Sequence, residues 1–243
     1  MIIAVDGPAA SGKGTIARAL AAHYHLPHLD TGLLYRAVAL TLNRASGNPA
    51  SAPDAEAATG FDDSLLTDPE LRTEATGAVA SQVSAHPGVR AALIARQRAF
   101  AAQPGGAVLD GRDIGTVIAP DADAKLYITA SPEVRARRRC TEMEARGLTG
   151  DYEGYLADIL ARDARDMGRA TAPLMRADDA DLLDPPESTI DAAAGQGAAK
   201  TDIPSDKLII ELLEHTPTML LLDEFQTWYD GLTNTKQYPW KNW

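Results

Sequence analysis

The sequence predicts an α/β protein built on a parallel β-sheet, and three observations carry that prediction. Short β-rich runs alternate along the chain with longer stretches whose apolar residues recur at helical spacing. Strand and helix in alternation imply a parallel sheet with helices on both faces. The first β-rich run also ends in a glycine-rich turn that opens a helix. Because such sheets bind ligands beyond the carboxyl ends of their strands, we expect a binding site at this edge.

Five runs are predicted as the strands of that sheet. Four look buried and one is weaker: IIAVD (2–6), AVLDG (107–111), KLYIT (125–129), ADLLD (180–184) and, as the weaker one, PHLD (27–30). Helical spacing marks the stretches from Ile16 to Tyr24 and from Ala91 to Ala101. The segment 46–60, SGNPASAPDAEAATG, is rich in turn formers and is predicted to be a surface loop within an insertion.

Composition argues against several classes of function. The 243 residues carry a formal net charge of -11, which disfavours a general nucleic-acid binder because such a protein needs a basic face. A single cysteine, Cys140, argues against a disulfide and against a thiol metal site. No stretch approaches membrane-spanning length, and no basic leader precedes the apolar run at 2–5. We therefore expect a cytoplasmic protein with neither a membrane partner nor a nucleic-acid partner.

The glycine-rich turn VDGPAASGKGT (5–15) has the spacing of a phosphate-binding loop. Gly7, Gly12 and Lys13 match the Walker A pattern, but Gly14 stands where that pattern has Ser or Thr, and Thr15 follows one residue later. Backbone N–H groups and the helix N-terminus would face a phosphate, and Lys13 would reach the β- and γ-phosphates of a nucleotide. A chance glycine-rich turn is the alternative. The predicted nucleotide-binding residues here are Gly7, Pro8, Ala9, Ala10, Ser11, Gly12, Lys13, Gly14 and Thr15.

The form G-K-G-T resembles the loop of nucleoside monophosphate kinases, and longer blocks make the resemblance specific. The blocks are LDTGLLYRAV (29–38), LRTEATGAVASQVSAHPGVRAALIARQRAF (71–100), LDGRDIGTVIAPDADAKLYITASPEVRARRR (109–139) and ILARDARDMGRATAPL (159–174). Together they are similar to the bacterial cytidylate kinase family over residues 1 to about 192. The resemblance implies a P-loop nucleoside monophosphate kinase fold with a five-stranded parallel sheet flanked by helices. It also implies a CMP-binding insertion at 31–106 and a short lid at 135–155.

The resemblance further implies transfer of the γ-phosphoryl group of ATP to CMP or dCMP, with Mg²⁺ held largely by phosphates and water, in a monomer. Such a reaction needs no general base, because a phosphate monoester has a second pKa near ~6 and is already largely dianionic. The enzyme must instead align two polyanions and neutralise the charge between them, a task that suits arginine. A UMP kinase on the same fold is the alternative within catalysis.

By resemblance, the acceptor nucleotide is held by residues of four blocks. The positions that bind its phosphate are matched by Arg36, Arg112 and Arg169, with Tyr35 beside them. The positions that hold its sugar are matched by Arg162 and Asp166, and those that contact cytosine by Ser81, Arg90 and Asp113. Thr31 completes the predicted substrate set. Lys13, Arg112 and Arg169 are the predicted catalytic residues. Arg162, Asp166 and Arg169 are spaced i, i+4 and i+7, so they are predicted on one helix face. An exposed helix with ion pairs is the alternative there, and a turn residue is the alternative for Asp113.

Arginines are also predicted on the ATP side. Arg135, Arg138 and Arg139 share a helix face in the lid and could reach the ATP phosphates on closure, although solvent-facing roles are the alternative. Asp110 could hold Mg²⁺ through water or simply stabilise a turn. No residue is predicted as a direct metal ligand.

The last fifty residues have a different character. Residues 193–205 read as a linker, and residues 206–243 as an appended tail that contains all three tryptophans. Within the tail, TMLLLDEF resembles a Walker B strand ending in Asp223 and Glu224, so the tail looks like a fragment of an AAA-type ATPase. A buried strand with two acids is the alternative. The tail leaves open a catalytically weak nucleotide-binding or interaction module, and association with a partner through the tail.

Overall fold

A computed structural model describes residues 1–145, 147 and 149–184 of the chain. The predicted linker at 193–205, the predicted tail at 206–243 and its Asp223 and Glu224 lie outside the described residues.

The described residues form a sheet of five strands, all parallel, as the sequence predicts. In chain order they are β1 (Ile2–Asp6), β2 (His28–Asp30), β3 (Ala107–Gly111), β4 (Ala124–Ile128) and β5 (Asp181–Leu183). Their order across the sheet is β2-β3-β1-β4-β5. Asp6 at the end of β1 stands opposite Gly111 of β3 and Tyr127 of β4. The carboxyl ends of the central strands therefore meet at one edge.

Seven α-helices accompany these strands in the described part of the chain. They are α1 (Lys13–His23), α2 (Thr31–Arg44), α3 (Ala52–Ala57), α4 (Glu74–Val83), α5 (Pro87–Ala101), α6 (Pro132–Ala145) and α7 (Tyr152–Met167). Asp30 and Thr73 cap α2 and α4 by accepting from backbone N–H groups, and Pro87 occupies the first turn of α5, where a missing N–H costs nothing. None of the described helices is long and apolar enough to cross a membrane.

Two apolar clusters lie on different parts of the fold. The first packs α1 against the sheet through Ile16 and Leu20, which meet Val5 and Ile128. The second lies inside the segment 31–106, where α2, α4 and α5 bury side chains such as Leu34, Val38, Val83, Val89 and Leu93 among themselves. That segment therefore has a core of its own beside the sheet.

The segment 46–60 is the surface loop that its turn-forming residues predict over residues 46–51, but the rest of it is helical. Ser51 caps the six-residue helix α3, and a 3-10 turn at Ala58–Gly60 continues it. Ala55 and Ala58 are buried in the second cluster. The helical part was missed because its buried residues are alanines. Among Ser, Asp, Pro and Gly, these small side chains do not produce a recognisable apolar periodicity.

Candidate active site

The glycine-rich turn after β1 has the backbone of a phosphate-binding loop. Gly7 has φ 153° and Gly12 φ 93°, and a Cβ at Gly7 would overlap the carbonyl oxygen of Ile128. Lys13 begins α1 and donates from Nζ to the carbonyl oxygen of Pro8 at 3.1 Å. Burial, reinforced by the positive charge of Arg112, lowers the pKa of Lys13 to about 7. A bound polyphosphate would reverse that shift by supplying the missing counter-charge.

Facing this loop is a pocket at the carboxyl edge of the sheet. All ten residues predicted to bind the acceptor line it: Thr31, Tyr35, Arg36, Ser81, Arg90, Arg112, Asp113, Arg162, Asp166 and Arg169. From the loop, the lining includes Ala9, Ala10, Lys13 and Gly14, whereas Gly7, Pro8, Ser11, Gly12 and Thr15 lie outside it. The structure thus brings the predicted donor loop and the predicted acceptor set to one cavity. Their individual ligand roles stay predictions.

A buried carboxylate ties the strand of the loop to the strand of the acceptor set. Asp6 accepts from the backbone N–H groups of Ile114 at 2.9 Å and Gly115 at 2.8 Å. Burial raises its pKa to about 6, although those two hydrogen bonds favour the ionised form. Because Arg112 and Asp113 immediately precede this turn, Asp6 fixes where they stand. Sequence reasoning missed Asp6, although an Asp that ends a buried strand is a visible signal.

Arg112 and Arg162 share the carboxylate of Asp166. Arg112 Nε donates to Asp166 Oδ2 at 2.9 Å, and Arg162 Nε lies 4.0 Å from the same oxygen. Burial works against ionisation of Asp166, but these two cations outweigh it and hold its pKa below the ordinary value. Burial also lowers the pKa of Arg162 to about 10, with Arg112 as the next cause. The cluster is strongly cationic on the side that faces the pocket.

Asp113 and Arg90 form a buried ion pair at the far end of the pocket. Arg90 NH2 donates to Asp113 Oδ2, and its guanidinium stands 5.8 Å from the centre of the Tyr35 ring. Arg90 is only 1% exposed, yet its Nε and NH1 have no hydrogen-bond partner among the described residues. Burial raises the pKa of Asp113, against the opposing pull of Arg90. A ligand with acceptor atoms would satisfy the two unpaired donors.

Arg36 and Arg169 also line the pocket. Arg36 NH1 donates to the carbonyl oxygens of Leu71 at 2.7 Å and Thr73 at 3.0 Å, where α4 begins. Arg169 donates from Nε to the carbonyl oxygen of Asp166 at 3.2 Å, while its buried NH2 has no partner in the described chain. Burial lowers the pKa of both guanidinium groups. Arg169 is not on the helix face predicted for it, because α7 ends at Met167; it lines the pocket from the segment that follows.

The three predicted lid arginines lie outside the pocket lining, on α6. Arg135 is 2% exposed and bonds only protein atoms: Nε to Ala130 O at 2.9 Å, NH1 to Ala9 O at 3.1 Å, and both terminal nitrogens to Asp163 at 3.1 and 2.5 Å. Arg138 reaches Ser11 O at 3.4 Å. Arg139 pairs with Glu74 of α4 and with Glu142. A contact of any of the three with ATP stays a prediction, and Arg135 has another task in this structure.

Asp110 lies against the phosphate-binding loop. Its carboxylate oxygen Oδ2 lies 2.7 Å from His28 Nε2 and accepts a hydrogen bond in the tautomer that carries a proton on that nitrogen, and its carbonyl oxygen accepts from Thr31 Oγ1 at 2.8 Å. A Cβ at Gly14 would stand 3.8 Å from Asp110 Oδ1. The described residues contain no cluster of three metal-ligating side chains.

Comparison with known proteins agrees with this arrangement. The family model described as cytidylate kinase matches residues 3–196. A cytidylate kinase from Xanthobacter autotrophicus is 59% identical over 199 residues, which cover 82% of this chain and 95% of that protein. One from a Methylobacterium species is 62% identical over 181 residues (74% and 86%), and one from Rhodopseudomonas palustris is 55% identical over 200 residues (82% and 93%).

Proposed function

The chain belongs to the cytidylate kinase family, and we propose that it transfers the γ-phosphoryl group of ATP to CMP or dCMP in the pocket between the phosphate-binding loop and the arginine cluster. The observation that carries the proposal is the set of buried guanidinium donors at Arg90 and Arg169 that no atom of the described residues satisfies. An unpaired buried donor costs about 1–3 kcal/mol. A nucleotide with a phosphate at one end and ring acceptors at the other would remove that cost.

On the donor side, the loop amides and Lys13 would hold the β- and γ-phosphates of ATP. Lys13 stands at the start of α1, where the positive end of the helix dipole adds to its charge. On the acceptor side, Arg36, Arg112 and Arg169 would grip the phosphate of CMP, with Tyr35 beside them. The acceptor oxygen is already anionic, so no residue is needed to remove a proton from it. Rate enhancement then comes from alignment and from charge neutralisation.

At the far end, Asp113 and Arg90 would select the base. An ionised Asp113 accepts from the exocyclic amine of cytosine, whereas the same position in uracil is a carbonyl oxygen that would repel it. The unpaired Nε and NH1 of Arg90 would donate to the acceptor edge of the ring, and Ser81 would complete the contact. Arg162 and Asp166 would hold the sugar, with Asp166 accepting from its hydroxyl groups.

Magnesium fits the residues at the loop. Mg²⁺ is bound in phosphoryl-transfer sites by phosphate oxygens, water and one or two carboxylates. The chain offers such a carboxylate in Asp110, beside Gly14, and a hydroxyl in Thr15. When bound, the ion would neutralise charge on the transferring phosphoryl group. Asp110 would orient its water shell while His28 keeps that carboxylate in place.

The proposal also covers the domain organisation, the partners and the localisation of the chain. We infer a kinase domain over residues 1–192, with a CMP-binding insertion at 31–106, a lid at 135–155 and an appended tail at 206–243. ATP, CMP and dCMP would be its partners, in the cytoplasm, and it would act as a monomer without nucleic acid.

A substrate panel tests the proposal. Release of ADP is measured by a coupled assay with CMP, dCMP, UMP and AMP as acceptors, each at matched concentrations of ATP and Mg²⁺. We expect turnover with CMP and dCMP, and kcat/KM at least about tenfold lower with UMP, because Asp113 would face its carbonyl. Equal use of UMP would show that the pocket does not select cytosine. ATP hydrolysis without any transfer to a nucleotide would contradict the kinase assignment itself.

A further inference from the structure

An arginine outside the pocket contacts one of the residues that line it. Arg165 lies on α7, in the helical turn that also carries Arg162 and Asp166, but it is exposed and does not line the pocket. Its Nε donates to the hydroxyl oxygen of Ser81 at 3.3 Å. Ser81 belongs to α4, is 3% exposed and does line the pocket. The bond therefore joins the helix that carries the predicted sugar contacts to the helix that carries a predicted base contact.

We propose that Arg165 is a positioning residue that holds the Ser81 hydroxyl in place for the pyrimidine, so that α7 and α4 present sugar and base contacts in one fixed arrangement. This inference rests on the proposed function, since it assumes that Ser81 meets the base.

The chemistry of the two groups supports a positioning role. A guanidinium has five donors and no acceptor, while a hydroxyl has one donor and two acceptor positions. The bond to Arg165 therefore takes one acceptor position of Ser81 Oγ and leaves the second acceptor position and the proton for a ligand. A serine side chain without such a partner can turn among three staggered rotamers or bond a carbonyl of its own helix. Holding one rotamer before the nucleotide arrives reduces the entropy lost on binding.

Arg165 is also suited to this role by its exposure. Its charged neighbours on α7 have other contacts: Asp166 accepts from Arg112 and lines the pocket with Arg162, and Asp163 accepts from Arg135. Among the described residues, Arg165 has no other hydrogen bond or ion pair. Because its side chain is not part of the core, replacing it tests the contact with Ser81 without opening a cavity.

The test is a double-mutant cycle on steady-state kinetics of the full chain. Arg165→Met removes every donor, and Arg165→Gln removes the charge but keeps an amide donor. Arg176→Met, at an exposed site outside the pocket, is the charge-matched control. Each is measured alone and, for the Arg165 variants, together with Ser81→Ala, with thermal unfolding recorded for every variant.

We expect Arg165→Met to raise the KM for CMP about three- to tenfold, because the variant loses one hydrogen bond to a neutral acceptor. The kcat and the KM for ATP should stay unchanged. Arg165→Gln should recover most of that loss, and Arg176→Met should behave like the unaltered chain. In the Ser81→Ala background, Arg165→Met should add nothing, because the atom it acts through is gone.

The contrary outcomes separate the two ideas. If Ser81→Ala raises the KM for CMP but Arg165→Met does not, the inference fails and the proposed function stands. Equal effects of Arg165→Met and Arg165→Gln would mean that charge rather than the hydrogen bond matters, as would full additivity with Ser81→Ala; either overturns the inference. Should Ser81→Ala leave the KM for CMP unchanged, the base contact assigned to Ser81 fails, and this inference fails with it.

Discussion

The two sides of the pocket hold their arginines in different ways. On the donor side, beside the phosphate-binding loop and outside the pocket lining, Arg135 bonds protein acceptors that include the loop carbonyl of Ala9 and both oxygens of Asp163. On the acceptor side, Arg90 is 1% exposed and Arg169 is half-buried, and both keep buried donors that no described residue satisfies. Arg135 therefore meets protein acceptors with Nε, NH1 and NH2, whereas Arg90 and Arg169 keep buried nitrogens that a ligand would satisfy.

This difference separates an arginine that stabilises the structure of the site, Arg135, from arginines that are placed to bind a ligand, Arg90 and Arg169. Arg135 fastens the phosphate-binding loop to α6 and, through Asp163, to α7, so the loop keeps its shape before ATP arrives. Preorganised donors of this kind lose nothing to rearrangement when charge develops. Arg90 and Arg169 instead keep unpaired buried donors, and under the proposed function a nucleotide of matching shape would remove that cost.

The largest effect is expected at the donor side, on stability. Asp163→Ala leaves the buried Arg135 guanidinium without its counter-charge, and breaking a buried pair in this way costs about 3–5 kcal/mol in the free energy of unfolding. Urea unfolding measures the loss. Asp63→Ala is the matched control, because its ion pair with Arg96 is exposed and should cost less than about 1 kcal/mol. Equal losses for the two variants would show that the Arg135 pair does not hold the structure together.

Arg112→Ala should have the next largest effect, and it is measured on rate. This change removes a cation that lies between Lys13 and Asp166 and that we place on the acceptor phosphate. Loss of one such electrostatic contact lowers kcat about 10²–10³-fold, or about 2.7–4 kcal/mol in activation free energy. Single-turnover measurement of CDP formation separates this effect from substrate binding. Cys140→Ser is the control and should be silent; comparable losses in both would mean that the acceptor phosphate lies elsewhere.

A smaller effect should appear in the pH dependence of ATP binding. The pKa of Lys13 is lowered by burial to about 7, so its ammonium is present below pH 7 and lost above it in the free chain. Bound polyphosphate favours the charged form and raises this pKa. ATP binding above pH 7 should therefore take up a proton, and affinity should fall by at most about tenfold per pH unit. Calorimetry in buffers of different ionisation enthalpy measures the uptake, which Lys13→Met should abolish.

Much of this fold was visible in the sequence because its signals are local. The runs at 2–6 and 107–111 become strands with those bounds, since buried parallel strands are continuous apolar runs. The helix α3 was missed because its buried contacts are alanines. The end of α7 was missed because spacing alone could not show that the helix stops before Gly168 and Arg169.

Part of the candidate site could also be predicted from the sequence. The ten acceptor residues were predicted through resemblance, and the structure adds that they line one cavity. What the sequence could not give is the pairing among them, because each partner is far away in the chain. Asp163 and Asp166 are both acids on α7, three residues apart, yet one neutralises Arg135 and the other Arg112. Nothing in the local pattern RDARD distinguishes these partners.

The smallest effect tests an ion pair between α6 and α4. Arg139 of α6 pairs with Glu74, in the first turn of α4, and the Glu74 side chain is 57% exposed. Glu74→Gln should therefore cost less than about 1 kcal/mol in the free energy of unfolding, and less still in high salt. Arg139→Met breaks the same bridge but also removes a cation that we predict for the ATP phosphates. If both variants leave the KM for ATP unchanged, Arg139 belongs with Arg135 among the residues that build the site. If Arg139→Met alone raises the KM for ATP, the donor side also contains a side chain that binds the nucleotide directly. The contrast between the two sides is then one of degree.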